Sequence, residues 1–131
     1  MPYLHIQLSG EPDDHLAAEV ASEAVALTSR LLGKDPALTA VVVDFIAPAR
    51  WFVAGRALSG GPERSYHWLV SITDETNTKA EKAEYLAAVH QSMARLLGPV
   101  AEHSYVHVAD LRAAAYGYGG RTQEARYQRA T

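Results

Sequence analysis

The chain contains no cysteine, so disulfides and thiolate metal sites are excluded, and the redox compartment stays open. It also lacks any apolar stretch near the roughly 18 residues that span a bilayer. No basic start followed by an apolar run marks a secretory signal, and a cytoplasmic location is the default expectation. A basic excess is missing as well: the formal net charge is −3, against the positive face that phosphate binding requires. What remains is 131 residues, 48% apolar and 21% charged, the composition of one globular domain with a real core.

Pro2 follows the initiator methionine. Trimming of Met1 would leave a secondary amine at the N-terminus. In an apolar, partly desolvated site its pKa would fall toward neutrality, which is what a general base needs. Proline at this position also serves only to permit methionine removal, so the surrounding sequence has to decide.

That sequence is written twice. Arg30-Leu31-Leu32-Gly33 recurs at Arg95-Leu96-Leu97-Gly98, and Gly55 and Gly120 each follow their tetrad glycine by 22 residues. In the same register Val41 falls on Val106, Val43 on Val108 and Trp51 on Tyr116; upstream, Leu4 meets Leu69 and His67 takes the place of Pro2. Two copies cannot build a solenoid, so a duplicated unit inside one domain is expected.

Each copy reads strand, helix, strand. Tyr3 to Leu8 alternates apolar and polar residues. Leu16, Val20, Ala24, Leu27 and Leu31 form a helical stripe from Asp14 to Leu32, with Asp13 and Asp14 at its positive end and Gly33 as its stop. Thr39 to Ile46 is apolar enough for a buried parallel strand. In the second copy Tyr66 to Thr73 is a strand, Thr78 to Glu81 is a capping box opening a helix that ends at Gly98, and Ser104 to Ala109 closes the unit. The expected fold is a two-layer α/β (α+β) domain over residues 1–120. It comprises two β-α-β units (about 2–60 and 66–120), with a four-stranded sheet and both helices on one face. The uncovered face is expected to meet other subunits. Gly117 to Gly120 reads as a tight hairpin turn matching Gly55, and residues 121–131 as a polar arm that packs on a neighbour or frays.

Pro2 heading the first strand of a doubled β-α-β unit resembles the tautomerase superfamily. The resemblance is to its fused branch, with macrophage migration inhibitory factor and cis-3-chloroacrylic acid dehalogenase; 4-oxalocrotonate tautomerase is the single-unit relative. The resemblance implies Pro2 as catalytic base, a homotrimer, no cofactor, and isomerase chemistry on a small 2-oxo or enol acid. It implies that Lys34, in Leu32-Gly33-Lys34, lies near the proline. Tyr105-Val106-His107 looks like the strand whose polar residues complete a neighbouring subunit's pocket, with His107 where the single-unit enzyme has an arginine. Trp51 and Tyr116 match an aromatic pocket wall.

Departures narrow these expectations. The substrate-gripping arginine of the single-unit enzyme falls near Pro12 and Asn77, and the paired arginines of the dehalogenase fall in the acidic segment Thr73 to Asn77. Haloacrylate dehalogenation is therefore disfavoured, as is a dicarboxylate bound in the usual way. A hydratase or dehalogenase of a short unsaturated acid is the runner-up within the family, and a non-catalytic trimeric binding protein of the same fold is the alternative from another class.

Tautomerisation needs a base, an oxyanion donor and a group that holds the substrate. Pro2 is the candidate base, with Leu38, Val41 and Trp51 as desolvating neighbours; Tyr105 and His107 are candidate donors. Lys34 or Arg50 is the candidate cation for an anionic substrate; a helix-end surface charge is the plain alternative for Lys34, solvation for Arg50. Trp51 and Phe52 are candidate wall residues, with core or subunit packing as their alternative. His103, Tyr105 and His107 share one strand face, but nothing supplies a third metal ligand, so no metal is expected.

Overall fold

A computed structural model describes residues 2–130, the side chains through Gln128. Met1, whose removal would free the Pro2 amine, and Thr131, the end of the expected arm, lie outside the described residues.

The first helix, α1 (Asp14–Leu32), starts where the Asp13 carboxylate accepts the Leu16 backbone N–H at 3.0 Å. It stops at Gly33, whose φ of 68° is the left-handed conformation that a Cβ disfavours. The second helix, α2 (Lys79–Leu97), opens on the reciprocal Thr78/Glu81 capping box. Leu16, Val20, Ala24 and Leu27 of α1, and Tyr85, Val89 and Met93 of α2, are buried along one stripe each. Those stripes cover Leu4, Ile6 and Leu8 of β1 (Tyr3–Ser9) and Tyr66, Trp68, Val70 and Ile72 of β5 (Tyr66–Thr73). The outer strands are β2 (Ala40–Ile46) and β6 (Tyr105–Leu111). The sheet order is β2-β1-β5-β6, with β1/β2 and β5/β6 parallel and an antiparallel join between β1 and β5. Both helices lie on one face, as expected.

Four expectations change. The segment anticipated as a buried strand, β2, is an edge strand on which only Val41, Val43 and Phe45 pack on the core while Val42 is 43% exposed. Leu4 and Leu69 are not equivalent: Leu4 is fully buried beneath the helices, whereas Leu69 pairs with His5 and His107 on the open face. The parallel ladders explain this, since Leu4 faces Val41 just as Trp68 faces Val106. The repeat is therefore one residue shorter through the first strand, and Tyr66, not His67, takes the place of Pro2. A one-residue slip moves every side chain to the other face. Finally, the anticipated arm is a helix, α3 (Gln123–Ala130), that docks on its own chain. The Arg126 guanidinium lies 3.7 Å above the Tyr118 ring, and Gln123 is buried.

The two glycine segments do form matching hairpins. β3 (Phe52–Val53) and β4 (Arg56–Ala57) turn through Ala54 and Gly55; β7 (Gly117–Tyr118) and β8 (Arg121–Thr122) turn through Gly119 and Gly120. All four turn residues have positive φ, the requirement of the two-residue turn that suits strand twist. Among the described residues no helix is long and apolar enough to cross a membrane.

Candidate active site

Pro2 is buried at the head of β1, with its carbonyl accepting the Ala40 backbone N–H at 3.2 Å. It lines a cleft of about 550 Å³ between the C-terminal end of α1 and the segment joining β5 to α2. Lys34 lines the same cleft, carried there by the sharp Gly33 turn. Its ammonium donates to Thr76 Oγ1 at 2.9 Å, and the Thr76 hydroxyl in turn donates to the Thr73 carbonyl at 2.6 Å. Burial pushes the Lys34 pKa below its ordinary value, while the charges of Glu81 and Asp110 oppose that shift.

The acidic groups of this cleft are Asp35 and Glu81, and Arg30 adds a second side-chain cation. Glu81 is held below the usual carboxyl range first by the Thr78 backbone N–H, then by the Asn77 amide. Leu38 lines the cleft as expected; Val41 and Trp51 do not. Tyr116 does not line the cleft; its hydroxyl is hydrogen-bonded at 2.5 Å to Oγ1 of Thr73, which does, and burial raises the Tyr116 pKa.

Trp51, Phe52, Tyr105 and His107 come together elsewhere, around a cavity of about 370 Å³ that also includes His67 and His103. Phe52 is 61% exposed and Tyr105 58%, so neither is a core aromatic. The Tyr105 and His107 rings stack at 6.1 Å between centroids. Arg50 is exposed on a 3₁₀ turn and lines neither space. Among the described residues no group of three or more His, Asp or Glu side chains is arranged to hold a metal ion.

The topology separates the two groups. The antiparallel β1/β5 join and the parallel β5/β6 ladder place His107 level with His5 and Tyr105 level with Gln7. His107 is thus about 10 Å along the strand from Pro2 and two strands, again about 10 Å, across the sheet. Within one chain Pro2 and Lys34 stand on one side, and Tyr105, His107, Trp51 and Phe52 on the other.

Sequence reasoning passed over Thr73, Thr76, Asn77, Glu81 and Tyr127 as cleft residues. Asn77 was legible: its amide donates to the Leu32 carbonyl at 3.0 Å, just ahead of the Thr78 cap. Tyr127 carried no local signal, because only the docking of α3 brings it to the cleft.

The fold is that of the fused tautomerases. A native fused 4-OT superposes with a TM-score of 0.82 at 21% identity, covering 94% of this chain and 97% of that one. Pt0534, solved after inactivation by 2-oxo-3-pentynoate, gives 0.82 at 15% identity over 95% and 98%. A macrophage migration inhibitory factor-like protein from Entamoeba histolytica gives 0.75 at 17% over 92% and 97%. No protein-family model matches the sequence, and no curated protein sequence does either.

Proposed function

We propose that this protein is a cofactor-independent tautomerase, acting on a small 2-oxo or enol acid with Pro2, freed by loss of Met1, as general base. The observation that carries the proposal is the buried Pro2 at the head of β1, in a cleft it shares with Lys34. A secondary amine there would be desolvated and near a cation, both of which favour its neutral, basic form. It would take the α-proton of the keto acid and return it to the oxygen of the resulting enolate, with no net change in atoms.

Tyr105 and His107 of one chain cannot serve its own Pro2, so the complete site is read as shared between subunits of a homotrimer. A wild-type fused 4-OT with a TM-score of 0.82 is itself a symmetric trimer. The sheet face away from the helices carries Tyr3 at 43%, Val42 at 43% and Tyr105 at 58% exposure, an apolar surface for association. Tyr105 would donate to the developing oxyanion, and Lys34 would attract the substrate carboxylate.

Ketonisation of phenylenolpyruvate, followed alongside a panel of enols, tests the base. Pro2→Ala should lose at least about a hundredfold in kcat, the scale of a positioned acid–base group. Equal activity of the two proteins would sink the proposal. Incubation with 2-oxo-3-pentynoate gives a second readout, because a neutral Pro2 amine would add across its activated alkyne and keep every atom of the reagent. Water addition to that reagent without labelling would move the assignment to a hydratase.

A further inference from the structure

Among the described residues the open face of the sheet carries His5, His67 and His107, and the last two are bonded to each other. His67 Nε2 and His107 Nδ1 lie 2.9 Å apart with their rings edge-on, and His67 Nδ1 lies 3.2 Å from Gln7 Oε1. The Gln7 amide oxygen can only accept, so His67 Nδ1 carries a proton. A neutral His67 then offers its Nε2 lone pair, and His107 Nδ1–H is the donor. Its Nε2 is the nitrogen that His67 leaves unengaged.

We propose that His67 is a positioning residue that holds His107 in the Nδ1–H form, so that His107 can carry a proton on Nε2 as well and bind an apolar monocarboxylate in the adjoining cavity. The proposal rests on the reading that this cavity completes the Pro2 site of a neighbouring subunit. The pair tolerates one added proton but not two, because two facing N–H groups at this distance have no acceptor between them. His67 is the member that stays neutral: burial lowers its pKa, and His107 and His5 lower it further.

The groups around His107 fit an anionic ligand. His67 faces it from β5, and Tyr105 and His103 flank it on the β6 side of the cavity. Across the sheet His5 on β1 is bonded at 2.6 Å to Asp44 on β2, which commits that carboxylate to a different histidine. Among the described residues no carboxylate lines the cavity, while Trp51 and Phe52 supply an apolar wall. A carboxylate would meet a charge-assisted imidazolium donor, and the rest of the ligand would meet aromatic rings.

Phenylacetate is the probe, since its binding needs no turnover. It is titrated across pH into the assembled wild-type protein and into its His67→Leu and His67→Gln variants, with imidazole tautomers read by long-range 1H–15N NMR. Expected are an Nδ1–H tautomer for neutral His107 in the wild type and in His67→Gln, whose amide oxygen can still accept, and reversion to Nε2–H in His67→Leu. At low pH affinity should fall about tenfold in His67→Leu, where the charged His107 loses the acceptor for its Nδ1–H, the scale of a lost charge-assisted bond, and largely survive in His67→Gln. A wild-type His107 in the Nε2–H form, or equal phenylacetate affinity in wild type and His67→Leu, would overturn the proposal. Failure of the Pro2 assignment looks different: Pro2→Ala would turn over enols like the wild type, while the tautomer and the phenylacetate titration stayed as described.

Discussion

Lys34 Nζ donates to Thr76 Oγ1 at 2.9 Å, and this bond bridges the end of α1 in the first repeat to the segment ahead of α2 in the second. Thr76 spends its own proton on the Thr73 carbonyl, so only its lone pairs face the ammonium. The cation is thereby fixed in the cleft that Pro2 lines, where a flexible lysine would otherwise lose rotamer freedom on holding a substrate.

Lys34→Met should raise KM for an anionic enol acid by about tenfold or more, the worth of a charge-assisted contact. Thr76→Val keeps the volume but removes the acceptor, and a smaller rise is expected. Because burial lowers the Lys34 pKa, the cation is lost at a pH below the ordinary lysine value. KM should therefore climb on the alkaline side earlier than for an exposed lysine. Steady-state kinetics against pH measure both effects.

The core has a polar bridge of its own. Tyr85 OH accepts from Trp68 Nε1 at 3.0 Å and shares a hydrogen bond with Thr28 Oγ1 at 2.9 Å, joining α1 to α2 and the sheet. Tyr85→Phe strands the indole N–H in a fully buried site. Equilibrium denaturation should show a loss of about 1–3 kcal/mol, the usual cost of an orphaned buried donor.

Tyr66 predicts an alkaline weakness. It is 1% exposed, its hydroxyl lies 2.7 Å from His90 Nδ1, and burial pushes its pKa up to about 12. The unfolded phenol ionises near pH 10, roughly its free value, while the folded one keeps its proton. Between those values the unfolded state binds fewer protons, so stability falls as pH rises from about 10 to about 12. Urea midpoints across that range should drop for the wild type and drop less for Tyr66→Phe.

The open sheet face makes assembly testable. Val42→Arg places a charge among exposed apolar side chains of β2 without touching the core. Sedimentation should show trimer for the wild type and a shift toward monomer for the variant. Enol turnover should fall with it, because Tyr105 and His107 would no longer meet a neighbour's Pro2.

Much of this was legible along the chain. The bounds of α1 and α2, the buried stripes, the Thr78/Glu81 cap and the paired hairpins all depend on residues within a turn or two of each other. Local chemistry is therefore enough to place them. Pro2 and Lys34 were also legible as neighbours, through the repeat and the resemblance it carried. The equivalence of His67 with Pro2 fails by one residue, because the second copy has one more residue between its first strand and its helix, and only the segments from the helix onward carry the 65-residue register.

What only the tertiary structure decided depends on contacts between distant segments. The antiparallel join of β1 to β5 put Pro2 and His107 on different sides of the sheet, and no local period encodes that join. Docking of α3 brought Tyr127 to the cleft, and the ladder register brought His67 onto His107. The sequence by itself determined the repeated unit and its buried face, since period and caps are local. Strand order, edge exposure and the division of the candidate site between two regions were decided by long-range packing, which alone sets which ends of the strands meet.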